Sequence, residues 1–234
     1  MSASVSDPQS RGAQVPRLFV GRARWIVAAV MVIGPLLQVV EFLAENPSSD
    51  NAVRVAYWAA NQTQIELGMS SGLAAVPFLI GGVAAIAALT HPSSPRLAWT
   101  GAVLMTVGMV GLGAVHGYEL AAFGLTRSGN FAAARSVLDS SHLGSPGVVL
   151  LVMFLGGATL GTLALAAAVW RSQLLPRVVS VFILAFAVLD FAVGQGVASH
   201  IVNLVGFSLA AGAMVAGYSR KPGPTSWVSP SAWW

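Results

Sequence analysis

Cysteine is absent from this 234-residue chain, and its twelve basic residues are eleven arginines and one lysine. Without thiols there is no disulfide, no thiolate nucleophile, no iron–sulfur ligation and no cysteine zinc site. The single lysine, Lys221, lies in the C-terminal tail, which excludes a Schiff base within the hydrophobic segments. Charge of either sign is scarce: 9% of residues are charged, against roughly 25% in an ordinary soluble domain. Apolar residues fill the space that charge leaves, at 56% of the chain, and this combination marks a membrane protein. In such a chain a net charge of +4 reports topology rather than nucleic-acid binding.

About 20 mostly apolar residues carry a helix across the hydrocarbon. Six stretches have this character: 25–44, 66–89, 97–124, 147–170, 177–193 and 197–218. The fifth is the shortest and is parted from the sixth only by Gly194, Gln195 and Gly196, a break suited to a tight turn between antiparallel helices. The fold class expected is all-α, a six-span transmembrane helical bundle. Residues 1–24 form a cytoplasmic polar tail, 25–218 the six-helix domain and 219–234 a second cytoplasmic tail.

Orientation follows from the basic residues. Arg11, Arg17, Arg22, Arg24, Arg96, Arg171, Arg177, Arg220 and Lys221 fall on one side of the threaded chain, and only Arg54, Arg127 and Arg135 on the other. The positive-inside bias therefore predicts that both termini are cytoplasmic. Trp25, Trp99 and Trp170 stand at the cytoplasmic ends of spans one, three and four, as an interfacial aromatic belt requires. The first span follows a polar tail and is too long for a signal-peptide core, so it reads as an uncleaved anchor.

Two outer loops are longer than hairpin turns. Val53, Ala56, Tyr57 and Ala60 recur at helical spacing in the first, and Phe131, Ala134, Val137, Leu138 and Ser141 in the second, which predicts short interfacial helices. Small residues four apart, Gly68 with Gly72, Gly113 with Gly117 and Gly157 with Gly161, predict close approach between spans or between copies of the chain. Pro35 and Pro77 are expected kink sites.

Glu41, Glu66, His116, Glu119, Asp190 and His200 all fall within hydrophobic segments and map toward the same, outer, side. Ionisable groups in hydrocarbon are costly, so such a set is a functional-site hypothesis by default. Glu41, Glu66 and Asp190 sit near span ends, where a carboxylate reaches water. His116, Glu119, His200 and Asn203 lie one to two turns deeper, and each pair is three residues apart on one helix face. A structural hydrogen-bonded network between helices is one reading of these four. Zinc or iron held by His116, Glu119 and His200, or haem between the two histidines, is chemically allowed but lacks a diagnostic spacing, and no cofactor is assigned.

The link Arg171-Ser172-Gln173-Leu174-Leu175-Pro176-Arg177, the segment from Gly129-Asn130-Phe131 to Leu143 and the six-span layout resemble a broad group of uncharacterised six-helix integral membrane proteins of high-GC bacteria. The resemblance implies a bacterial plasma membrane and transfers no activity. The leading functional expectation is an intramembrane acid–base enzyme of isomerase or cyclase type, acting on a lipophilic small molecule. Glu119 and Asp190 are its candidate acids, His116 and His200 their partners, and Glu41, Glu66, Tyr118, Gln195 and Asn203 candidate ligand contacts. The alternative is a non-enzymatic ligand-binding or accessory protein that uses the outer segments around Tyr57, Trp58 and Phe131. Membrane lipid is the expected partner, nucleic acid is not, and a homo-oligomer is left open.

Overall fold

The computed structural model describes residues 21–45, 48, 50–139, 144–172, 175–194 and 196–217. Gln195, His142 and most of both tails lie outside the described residues. All the regular structure described is helical: α1 (Ala23–Ala44), α2 (Asn51–Ala60), α3 (Gln62–Thr90), α4 (Pro95–Arg127), α5 (Phe131–Leu138), α6 (Gly144–Arg171), α7 (Arg177–Val188) and α8 (Val197–Gly217). Five of these, α1, α3, α4, α6 and α8, are long and apolar enough to cross a membrane. The segment expected as a fifth span is shorter: the 12 residues of α7 run directly into a five-residue π turn, Leu189–Val193. Gly194 ends that turn at φ +130°, a conformation that side chains with a Cβ avoid.

Local chemistry sets the other boundaries. Asp50 caps α2 by accepting hydrogen bonds from the amides of Ala52 at 2.7 Å and Val53 at 3.4 Å, and Asn130 caps α5 through the amide of Ala133 at 3.2 Å. Pro95 opens α4, where its missing N–H costs nothing. Pro35 and Pro77 both lie inside unbroken helical stretches. The helices expected in the two outer loops are present as α2 and α5, but α2 buries Val55 and Trp58 rather than the Val53/Ala56/Tyr57 face.

α4 packs most extensively on α6 and α1 on α3, while α8 closes the bundle against α1 and α7. The apolar core lies among Met31, Val83, Ile86, Leu89, Val169 and Met214, with a second cluster of Trp58, Ile65, Met69, Ala122 and Phe123 beneath α2. Leu36, Val103, Val152, Leu160 and Leu209 point outward and are exposed. In water such a surface would be a liability, whereas lipid tails solvate it without cost.

Backbone contact between α4 and α6 runs through glycine. A Cβ at Gly108 would lie 2.5 Å from the Ala158 nitrogen, and one at Gly157 would lie 2.7 Å from the Gly108 nitrogen. The expected Gly113/Gly117 pair does not take part: Gly113 has only Val76 within ordinary contact and Gly117 faces open space. The close-approach stripe on α4 is instead Gly101, Gly108 and Gly111, spaced seven and three apart on another face of the helix. Gly108→Ala should therefore lower stability by about 1–3 kcal/mol, the usual cost of forcing atoms into a filled interface. Gly117→Ala should be neutral or slightly stabilising, and thermal unfolding in detergent would separate the two; equal effects would show that the α4–α6 contact is looser than described.

Candidate functional site

Gln38, Glu41, Phe42 and Glu45 recur along α1 at helical spacing and share one face. That face, together with residues of α3, α4, α6, α7 and α8, encloses a cavity of about 110 Å³. A water needs roughly 10–15 Å³ of such space, so the cavity has room for several waters or one small organic group. Its walls are mostly apolar, formed by side chains such as Met105, Met109, Phe154 and Phe207, with ionisable groups set among them.

Glu41 is 2% exposed. Its carboxylate occupies the notch left by Gly72 of α3, where any Cβ would overlap it. One oxygen, Oε1, lies 3.2 Å from Nδ1 of His116 on α4, and the same nitrogen is 3.7 Å from Oε2 of Glu119 one turn further along. The imidazole thus stands between carboxylates from two helices. Glu119 in turn meets the guanidinium of Arg54, whose Nη2 donates to Oε1 at 2.8 Å. Arg54 comes from α2 and lies over the Trp58 ring at 5.1 Å. Trp58 is fully buried and meets Phe123 edge-on at 6.2 Å, so α2 is anchored to the bundle at the point where its arginine turns inward.

A second carboxyl–imidazole pair faces the same cavity. Asp190, on the π turn after α7, lies 2.8 Å from the Ser199 hydroxyl and 3.5 Å from Nε2 of His200. Ser199 is also 2.8 Å from the Gly196 carbonyl, and a hydroxyl has one proton to donate. The His200 contact is close enough for charge attraction but is not aligned as a hydrogen bond, and among the described residues neither ring nitrogen has a hydrogen-bond partner. The ring is held by stacking instead, 3.9 Å from Phe42 and 5.8 Å from Phe186 between centroids. Glu41 Oε2, Glu45 Oε1 and His116 Nε2 are likewise buried without a protein partner. All belong to residues that line the cavity, and buried polar atoms of this kind call for water or a ligand to complete them.

Six of the sequence candidates therefore meet around one space: Glu41, His116, Glu119, Asp190, His200 and Asn203. Glu41 and Asp190, expected at span ends that reach water, are enclosed by protein at 2% and 6% exposure, whereas the Glu119 side chain is 19% exposed. Glu66 and Tyr118 do not join them. Glu66 forms an exposed ion pair with Arg127 at 3.2 Å, because it stands two residues from Gly68 and so faces away from α1. Tyr118, two residues from His116, lines a shallow hollow of about 310 Å³ among α4, α5 and α6 that shares Val115 and Glu119 with the cavity. Trp58 is unavailable as a surface contact, unlike Phe131, which is exposed.

Gln38, Phe42, Glu45 and Ser199 escaped the sequence reading, as did Arg54 in any role but topology. The Gln38/Glu41/Glu45 stripe on α1 was visible as spacing; nothing in the sequence says that α2 folds Arg54 back onto α4. Among the described residues, no three His, Asp or Glu side chains converge as a metal-binding group, and His116, Glu119 and His200 do not form one.

Glu45, just beyond the end of α1, has its carboxyl pushed up to about 7 by burial, with the charge of Glu119 adding to the rise and Arg54 and His116 opposing it. A carboxyl raised in the folded state makes folding less favourable once it ionises. Its cost is absent below the ordinary value of 4.5 and complete above about 7. Glu45→Gln should thus stabilise the protein relative to wild type at pH 8, by up to about 3 kcal/mol, and make little difference at pH 4.5. Thermal unfolding at the two pH values checks this, and an advantage that does not grow with pH would refute it.

Comparison with protein-family models, with curated proteins and with solved structures gives no match to the chain.

Proposed function

We propose that this chain is a six-span protein of a bacterial plasma membrane, with both termini cytoplasmic, that takes a lipophilic small molecule into the cavity and moves protons on it as an isomerase or cyclase. The arginine distribution supports the orientation, and α7 with its π turn serves as the short fifth span. In that frame α2 and α5 lie at the outer interface and cover the cavity. The hollow beside Tyr118, which shares Val115 and Glu119 with the cavity, offers a route in from the lipid.

The observation that carries the proposal is the presence of two carboxyl–imidazole pairs, Glu41 with His116 and Asp190 with His200, on one apolar-walled cavity. Isomerisation and cyclisation of an alkene both add a proton at one carbon and remove one at another, so two proton-handling groups are required and mass is unchanged. Arg54 holds Glu119 as its ion partner, which suits Glu119 to orienting His116 and passes the acid role to Glu41. Asn203 and Gln38 supply neutral polar contacts on the same walls.

Membranes from cells expressing the wild type should contain a lipid-soluble species of unchanged mass and altered chromatographic retention. Its formation should fall at least about 100-fold in Glu41→Gln and in Asp190→Asn, the range associated with loss of a general acid or base, while both variants remain folded. If conversion persists in both, or if no equal-mass product forms, a non-enzymatic ligand-binding protein is the better reading. The commitment of Glu119 to Arg54 is the observation on the side of that second reading.

A further inference from the structure

We infer that the occupant of the cavity carries a positive charge: an organic ammonium group on a small apolar body. The inference rests on the cavity being a ligand site, as proposed above, and not on the chemistry done there.

Four carboxyls line the space, those of Glu41, Glu45, Glu119 and Asp190, together with the imidazoles of His116 and His200. No lysine or arginine is among the lining residues; the nearest guanidinium, Arg54, stands behind Glu119 and is paired with it. With Glu45 neutral, as burial favours below about pH 7, and Glu41, Glu119 and Asp190 ionised, Arg54 still leaves two negative charges in excess when both imidazoles are neutral. Uncompensated charge in apolar surroundings is expensive, and a cationic occupant relieves that cost where an anion would add to it.

Two independent features point to the same chemistry. Glu41 is 2% exposed, and its Oε2 has no hydrogen-bond partner among the described residues although the residue faces the cavity. Five phenylalanines, Phe42, Phe154, Phe186, Phe191 and Phe207, line the same space, and the faces of aromatic rings attract ammonium groups. A bare metal ion fits poorly, since hard cations take six or more oxygens and the described side chains form no such group.

The test uses the purified full-length protein in detergent at pH 7 and three probes of matched size: 2-phenylethylamine, 2-phenylethanol and 3-phenylpropionate. Calorimetry should give at least tenfold tighter binding for the amine than for either of the others, with sodium chloride alone giving no saturable signal. Glu41→Gln should weaken amine binding at least tenfold and leave the alcohol within twofold. Glu45→Gln provides a second variant should the first fail to fold, with the same direction of change, and Glu66→Gln, outside the cavity, should leave amine binding intact. Equal affinity for the three probes, saturable binding of sodium alone, or unaltered amine affinity in both cavity variants would overturn the inference. Charge-selective binding without any equal-mass conversion would remove the catalytic reading and keep this one, and conversion without charge selectivity would do the reverse.

Discussion

A carboxylate in an apolar bundle must be given partners, and the position of Glu41 shows how much structure that single requirement organises. Its side chain reaches α3 only because Gly72 leaves a notch for it, so the contact between α1 and α3 is shaped around a charge. Its oxygen then meets His116, which ties α4 to the same point. Glu119 and Arg54 extend the chain of attraction outward to α2. Three helices are thereby joined by one sequence of ion pairs, running from a fully buried group to a partly exposed one, with α3 fitted against its buried end. Such pairs seldom stabilise a fold beyond what apolar side chains would achieve in the same space. Their presence is better understood as the framework of a site.

The remainder of the bundle is built on the opposite principle. Where α4 meets α6, glycines at 101, 108, 111, 157 and 161 remove side chains and let backbones touch, the means of helix association available when lipid offers no hydrophobic drive. Nearer the carboxylates, Phe42, Phe154, Phe186 and Phe207 line a cavity between the helices. Tight packing on one flank and spacing on the other produce a closed scaffold with an internal space. The His200 ring shows the result, being fixed by stacking on Phe42 while both of its nitrogens lack a hydrogen-bond partner among the described residues.

α2 joins the two regimes. Trp58 and Phe123 form a small core of their own, and Asn51 reaches Asp139 beyond α5 through a 3.4 Å hydrogen bond. α2 is consequently held to the bundle both by apolar burial and by the Arg54–Glu119 pair. A ligand that competed for Glu119 would loosen one of those two attachments and leave the other.

Much of the architecture was readable before any coordinates, because each helix announces itself locally. Long apolar runs give the spanning helices, and the Gly194–Gly196 break separates α7 from α8. Side-chain type and spacing also nominated most of the groups around the cavity, since an ionisable residue in an apolar run is conspicuous wherever the run goes. The sequence by itself determined that this is an all-helical chain with several apolar helices and ionisable residues set within them. Tertiary structure alone decided which of those residues meet. Glu66 and Tyr118 turn outward because two positions along a helix amount to roughly 200° of rotation, and Glu41 lies deeper than Glu119 because Gly72 opens the space for it. Arg54, from a loop helix, completes the site only because Trp58 packs beneath α2. Depth, pairing and enclosure depend on how distant helix faces are rotated against one another, and no local pattern in the chain encodes that rotation.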